Sequence, residues 1–80
     1  MKIQILFFGI LRDIIGENLI EINIDKRNTI ANLKEYLLKN HKKLNDYSNF
    51  SIAVNEEYVE VDYVLKANDV VALIPPVSGG

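Results

Sequence analysis

The last six residues, Pro75-Pro76-Val77-Ser78-Gly79-Gly80, place a carboxylate on two glycines behind two prolines. Proline fixes φ at about −65° and has no N–H to give a sheet, so Pro75 and Pro76 stop the strand before them and begin an extended segment. Glycine has no Cβ, so Gly79 and Gly80 fit a channel too narrow for other residues. At about 3.3 Å per residue the segment reaches roughly 20 Å, enough to carry its end from a folded body into another protein's active site. Such an end offers acyl chemistry. A terminal carboxylate is ionised at neutral pH and its oxygen is a poor leaving group, so another molecule must activate it. The ordinary alternative is a frayed terminus. Against it stands Asp69-Val70-Val71-Ala72-Leu73-Ile74, a strongly apolar strand that runs straight into the tail.

Little else in the chain suggests catalysis. Eighty residues make one thin-cored domain, since a chain this short buries only about 60–65% of its unfolded surface. There is no cysteine, hence no disulfide, thiolate nucleophile or cysteine-rich metal site, and the expected location is cytoplasmic. The opening apolar run is short and Arg12-Asp13 soon follows, so it reads neither as a secretion signal nor as a membrane span. The net charge is −2 and the basic residues are scattered apart from Lys39 to Lys43, which argues against a nucleic-acid partner. The sole histidine, His41, sits beside Lys42 and Lys43, where positive charge complements a helix C-terminus, and no metal site is expected. Glu56, Glu57 and Glu60 read as solvated turn residues. The glycines show no phosphate-cradling pattern, so no cofactor is expected on this chain alone.

The elements that must carry the tail follow from periodicity. Lys2 to Phe8 reads as a strand with Ile3, Ile5 and Phe7 on one face and Gln4, Leu6 and Phe8 on the other, both faces partly apolar. A loop with Gly9 and Gly16 leads to a second strand from Asn18 to Ile24, its isoleucines alternating with Glu21 and Asn23. Asn28 or Thr29 caps a helix with Ile30, Leu33 and Leu37 on its apolar stripe, ending near Asn40. His41 to Asn49 reads as a loop, Phe50 to Val54 as a strand, Tyr58 to Val61 as a short edge strand, Asp62 to Lys66 as a tight turn, and Asn68-Asp69 as the start of the last strand. The order ββαββ predicts an α+β fold, a mixed sheet curled around one main helix, over residues 1–74, with a flexible tail over 75–80. This is the β-grasp arrangement of ubiquitin-like proteins.

Three stretches carry a resemblance across nearly the whole chain: Phe7-Phe8-Gly9-x-x-Arg12-Asp13, Ala53-Val54-Asn55-Glu56-Glu57-Tyr58-Val59, and Asp69 to Gly80 with its Pro-Pro-Val-Ser spacer. They resemble the small subunits of molybdopterin synthase, the MoaD-like sulfur carriers. One departure is Lys66-Ala67-Asn68-Asp69, where that family commonly has glycine before the aspartate; asparagine tolerates the left-handed conformation such a turn requires. The resemblance implies that an E1-like (MoeB-like) adenylating enzyme uses ATP to activate Gly80. A sulfur donor protein then converts it to a thiocarboxylate, and the tail enters the large (MoaE-like) synthase subunit. There sulfur passes to cyclic pyranopterin monophosphate, and two transfers build the dithiolene of molybdopterin. Gly80 supplies the reacting atom, Gly79 the slim approach, and Pro75, Pro76, Val77 and Ser78 the reach. Phe8, Tyr58 and Ile74 are expected to dock the partner, with Leu6 divided between docking and core, and Arg12 between pairing with a partner carboxylate and simple solvation. A thiamine-pathway sulfur carrier, a ubiquitin-like modifier joined to lysines through Gly80, and a purely structural binding module remain as alternatives.

Overall fold

In the computed structural model, which describes residues 1–47 and 49–76, the chain runs β1 (Lys2–Phe7), α1 (Ile10–Ile15), β2 (Leu19–Asn23), α2 (Ile30–Asn40), a 3-10 helix (Lys42–Tyr47), β3 (Ser51–Val54), β4 (Glu57–Tyr58) and β5 (Val70–Ile74). Side chains alternate across a strand, so Ile3, Ile5 and Phe7 of β1 turn into the core while Gln4 and Leu6 face the other way. β1 is paired on both edges. Antiparallel β2 sets Ile3 opposite Ile22 and Leu6 opposite Leu19, and parallel β5 sets Gln4 beside Val70 and Phe7 beside Leu73. β3 joins the far edge of β5 and β4 follows it, giving the order β2-β1-β5-β3-β4 among the described residues. Parallel strands cannot be joined by a hairpin, and α2 lies in the long crossover that separates β1 from β5. The result is a β-grasp fold, a mixed sheet holding one main helix.

The apolar stripe of α2 explains its position. Ile30, Leu33 and Leu37 are buried against Ile3, Ile5, Phe7, Ile52, Val54, Val71 and Leu73 in one cluster. Each such aliphatic side chain contributes about 1.5–3 kcal/mol on leaving water. Lys34 reaches over the ring of Phe50, 5.3 Å from its centroid. A helix leaves its first N–H groups without intrahelical partners, and here three of them find one. Thr29 Oγ1 accepts from the Asn32 N–H at 3.2 Å, the Ile30 N–H donates to the Tyr63 carbonyl at 3.0 Å, and the Ala31 N–H to the Val61 carbonyl at 2.9 Å. At the other end the His41 N–H donates to the Leu37 carbonyl at 2.8 Å.

Those bonds correct one expectation. Residues 62–66 are not a tight turn: Val64 bridges to Thr29, the Leu65 N–H donates to the Asn28 carbonyl at 2.8 Å, and Leu65 is buried. From Tyr63 to Leu65 the segment is an extended strap that caps α2, entered by a turn at Val61 and Asp62 in which the Tyr63 N–H donates to the Glu60 carbonyl at 3.1 Å. A second turn falls at Ala67 and Asn68, with Asn68 left-handed at φ 70° as its residue type allows, and β5 begins at Val70. Two more corrections concern helices, since the sequence reading allowed only one. The stretch between Gly9 and Gly16 is helix α1, which buries Leu11 completely, and the stretch after His41 winds into the 3-10 helix that buries Leu44. β4 is also earlier and shorter than expected. Asn55 and Glu56, at φ 51° and 73°, make a two-residue hairpin turn, so β4 pairs Glu57 with Val54 and Tyr58 with Ala53.

Candidate functional site

Part of the sheet face opposite α2 is apolar where a sheet's solvent face is usually polar. Cross-strand partners share a face, and the register lines up Leu19, Leu6, Ala72, Ala53 and Tyr58 as one row across all the strands. Tyr58 stands 71% exposed at one end and Leu19 is exposed at the other. Beside this row Leu6, Phe8, Val70 and Ala72, with Asn55 and Glu56, line an open groove of about 440 Å³. Phe8 is 45% exposed. An apolar patch of this kind on a small chain marks a surface that another molecule covers.

Hydrogen bonds hold the rim of the groove. The Asn55 side-chain amide donates to Asp69 Oδ1 at 3.0 Å, and its carbonyl oxygen accepts from the Val70 N–H at 3.1 Å. Asp69, only 5% exposed, also accepts from the Lys66 N–H at 2.8 Å and the Tyr63 hydroxyl at 3.3 Å. A buried carboxylate is tolerated because these donors replace water. Desolvation raises the pKa of Tyr63 above its ordinary value, helped by the charge of Asp69, the hydrogen bond to it, and the charge of Glu57.

The tail leaves from the end of β5, the strand whose Val70 and Ala72 line the groove. β1 and β5 are parallel, so Phe7 and Ile74 finish at the same end of the sheet. The chain turns away after β1 at Gly9, φ 55° and ψ −134°, while β5 continues into half-buried Pro75 and exposed Pro76. Val77, Ser78, Gly79 and Gly80 lie outside the described residues. Ile74 shares the outer face with Ala72 and is half-buried. Phe8, Leu6, Ile74 and Tyr58 therefore occupy one face. Arg12 does not line that groove: it is exposed on α1, its carbonyl accepting from the Gly16 N–H at 2.8 Å. Sequence reasoning missed Val70, Ala72, Leu19 and Asn55. The legible signal was the apolar character of both parities in β5, which leaves no polar residue to face water.

Among the described residues no group of three metal-ligating side chains comes together, and no helix is long and apolar enough to cross a membrane.

A model of the ThiS family matches residues 5–80. The chain is 35% identical to the molybdopterin synthase sulfur carrier subunit of Dictyostelium discoideum, over 99% of this chain and 96% of that protein. It superposes on the putative molybdopterin converting factor subunit 1 of Pyrococcus furiosus with a TM-score of 0.87 and 31% identity, covering 96% of this chain and 99% of that one. It is similar also to a chain in the complex of subunits 1 and 2 of the molybdopterin-converting factor of Helicobacter pylori, with a TM-score of 0.74, 29% identity and both chains covered in full.

Proposed function

We propose, for a chain that belongs to the ThiS family and is homologous to molybdopterin synthase sulfur carrier subunits, that it carries sulfur on Gly80 in the cytoplasm and delivers it inside a larger synthase subunit docked on the outer sheet face. The observation that carries the reading is a coincidence of place. The apolar row and groove lie beside the strand from which the tail departs, so a partner seated on that face receives the tail directly. The Helicobacter pylori relative was solved as a complex of subunits 1 and 2. A docked body and a separate reacting end divide the work between affinity and reach.

The chemistry requires two partners besides the large subunit. In an E1-like adenylating enzyme, a Gly80 carboxylate oxygen attacks the α-phosphate of ATP, releasing pyrophosphate and leaving an acyl adenylate. A sulfur donor protein then supplies sulfur at the sulfide level; the new C–S bond forms as the C–O bond to AMP breaks. In the large subunit the thiocarboxylate sulfur forms a C–S bond to a carbon of cyclic pyranopterin monophosphate as an oxygen group leaves that carbon, and water then cleaves the acyl C–S bond, so the sulfur stays on the pterin and Gly80 returns to the carboxylate. ATP binds the activating partner, not this chain. The body contributes binding energy and the tail contributes position, and well-oriented approach is worth roughly 7–11 kcal/mol of barrier.

The test is intact-mass spectrometry of the chain produced together with an E1-like enzyme and a sulfur donor. Sulfur should replace one oxygen at Gly80, and a chain lacking Gly80 should take up none. Glycyl isopeptides on lysines with no thiocarboxylate would instead make the chain a modifier.

A further inference from the structure

Gly9 and Pro75 are far apart in sequence and touch in the fold. A Cβ built on Gly9 would lie 3.0 Å from Pro75 Cγ and 3.8 Å from Pro75 Cδ, where ordinary contact begins at 3.4 Å. The Pro75 ring thus occupies the space that a side chain at position 9 would fill. It is a ring fused to the backbone, not the far end of a flexible side chain, so it cannot yield without moving the chain that bears it. Gly9 is itself held: its carbonyl accepts from the Arg12 N–H at 3.1 Å, and the Phe8 carbonyl accepts from the Leu11 N–H at 3.1 Å, fixing it to the first turn of α1. Leu11 in turn is fully buried.

We infer that Gly9 is a positioning residue for the tail, a seat without a side chain that sets where the segment beginning at Pro75 leaves the sheet. The inference rests on the reading of Gly80 as the sulfur-bearing end. β1 and β5 end side by side, and the chain must leave one of them sharply. At Gly9 the backbone takes φ 55° and ψ −134°, which L side chains rarely adopt, and turns into α1. The turn clears the way for β5 to continue, and the missing Cβ lets Pro75 close on the turn. The tail's origin is therefore fixed against the rigid end of β1, and its reach to the reacting carbon is measured from that point. Moving Pro75 by a few tenths of an ångström, as a Cβ demands, tilts the first link of about 3.8 Å and displaces an extended tail's end by roughly 1 Å or more. A misplacement of about 1 Å is enough to slow a positioned reaction by up to about 100-fold.

The experiment is a double-mutant cycle on Gly9→Ala and Pro75→Ala in the reconstituted complex of large subunit and thiocarboxylated chain, following the rate of sulfur transfer at saturating concentrations of the large subunit. Alanine at position 75 lacks the ring carbon that a methyl at position 9 would strike. Gly9→Ala should slow transfer about tenfold or more, and adding Pro75→Ala should restore much of it, although both chains carry the same backbone strain at position 9. Such rescue is a coupling that strain alone does not produce. Equal loss in the single and double variants, or a wild-type rate for Gly9→Ala, would overturn the assignment. Should Gly9→Ala not fold, nuclear Overhauser contacts between Gly9 Hα and the Pro75 ring protons in the wild-type chain decide: their presence in the free chain and the complex is expected, and their absence overturns the seat. A wild-type chain that accepts no sulfur at all would be a failure of the functional reading instead.

Discussion

Asn55 and Asp69, fourteen positions apart, are joined by a 3.0 Å hydrogen bond that ties the β3–β4 turn to the start of β5. The same Asn55 side chain accepts from the Val70 N–H at 3.1 Å, so one amide side chain supplies both a donor and an acceptor across two strand ends. Both residues border the outer groove, Asn55 directly and Asp69 through Val70. The network therefore links the stability of the fold to the shape of the docking face.

Asn55→Ala should lower stability by about 1–3 kcal/mol, because it takes a donor from the nearly buried Asp69 and an unmet buried acceptor costs about that much. Part of that loss comes from the backbone, since Asn55 is left-handed at φ 51°, a conformation that costs most L residues about 1–2 kcal/mol. Asn55→Gly keeps the conformation while removing the same hydrogen bonds, and should fall between the two. Urea denaturation checks this: the midpoint should drop with the slope unchanged. Wild-type midpoints for both variants would mean that the bonds contribute nothing net.

Tyr63 makes one contribution to stability that alkali should remove. Its pKa is raised in the folded state, so the folded chain holds that proton more tightly than the unfolded one. By linkage its contribution is fully present below the unfolded value of about 10 and is lost as pH rises through the folded value. Thermal unfolding from pH 8 to 12 should show a fall above pH 10 that is shallower in Tyr63→Phe. That variant forgoes the hydroxyl's bond to Asp69, so it should start lower near neutrality. Identical slopes above pH 10 would remove Tyr63 as the cause.

Strand β1 was legible from alternation, because Ile3, Ile5 and Phe7 differ in parity from Gln4 and Leu6, β5 from its unbroken apolar run ahead of Pro75, and α2 from the spacing of Ile30, Leu33 and Leu37. Helix α1 was not. Gly9 and Gly16 look like loop punctuation, and six residues are too few to show a 3.6-residue period, yet the two glycines are its caps, at φ 55° and 85°. The strap over residues 63–65, with the turn at Val61 and Asp62 that leads into it, was hidden for another reason. Its role is to accept hydrogen bonds from the first turn of α2, and carbonyl groups are the same in every residue type. Within the groove, Val70 and Ala72 escaped because β5 is apolar at both parities, so only the register with Leu6 and Ala53 shows which side chains turn outward.

Phe8→Asp separates docking from folding. Phe8 is 45% exposed beside Leu6 and Ala72, so the substitution should leave the melting temperature nearly unchanged. In the proposed complex with the large synthase subunit, the carboxylate would be desolvated without a partner, a loss that commonly runs to several kcal/mol. Calorimetric titration should show affinity weakened by about 100-fold or more, each decade being about 1.4 kcal/mol. Unchanged affinity would move the docking face elsewhere.

An alanine appended after Gly80 tests whether the end of the chain is the reacting group. The addition leaves every described residue untouched, so the body should fold and bind the large subunit as before. It places the carboxylate about 3–4 Å further along the channel and sets a methyl group where two glycines had none. A positioned reaction tolerates displacement of only about 1 Å before its rate falls steeply. Adenylation by the E1-like partner and sulfur transfer in the large subunit should therefore both fail while binding persists. A coupled assay of molybdopterin formation, run beside a binding titration on the native and extended chains, measures the two separately. Product at the native rate from an extended chain shown by mass spectrometry to be uncleaved would mean that the Gly80 carboxylate is not the carrier, and the conserved binding of the body would then be the whole of its contribution.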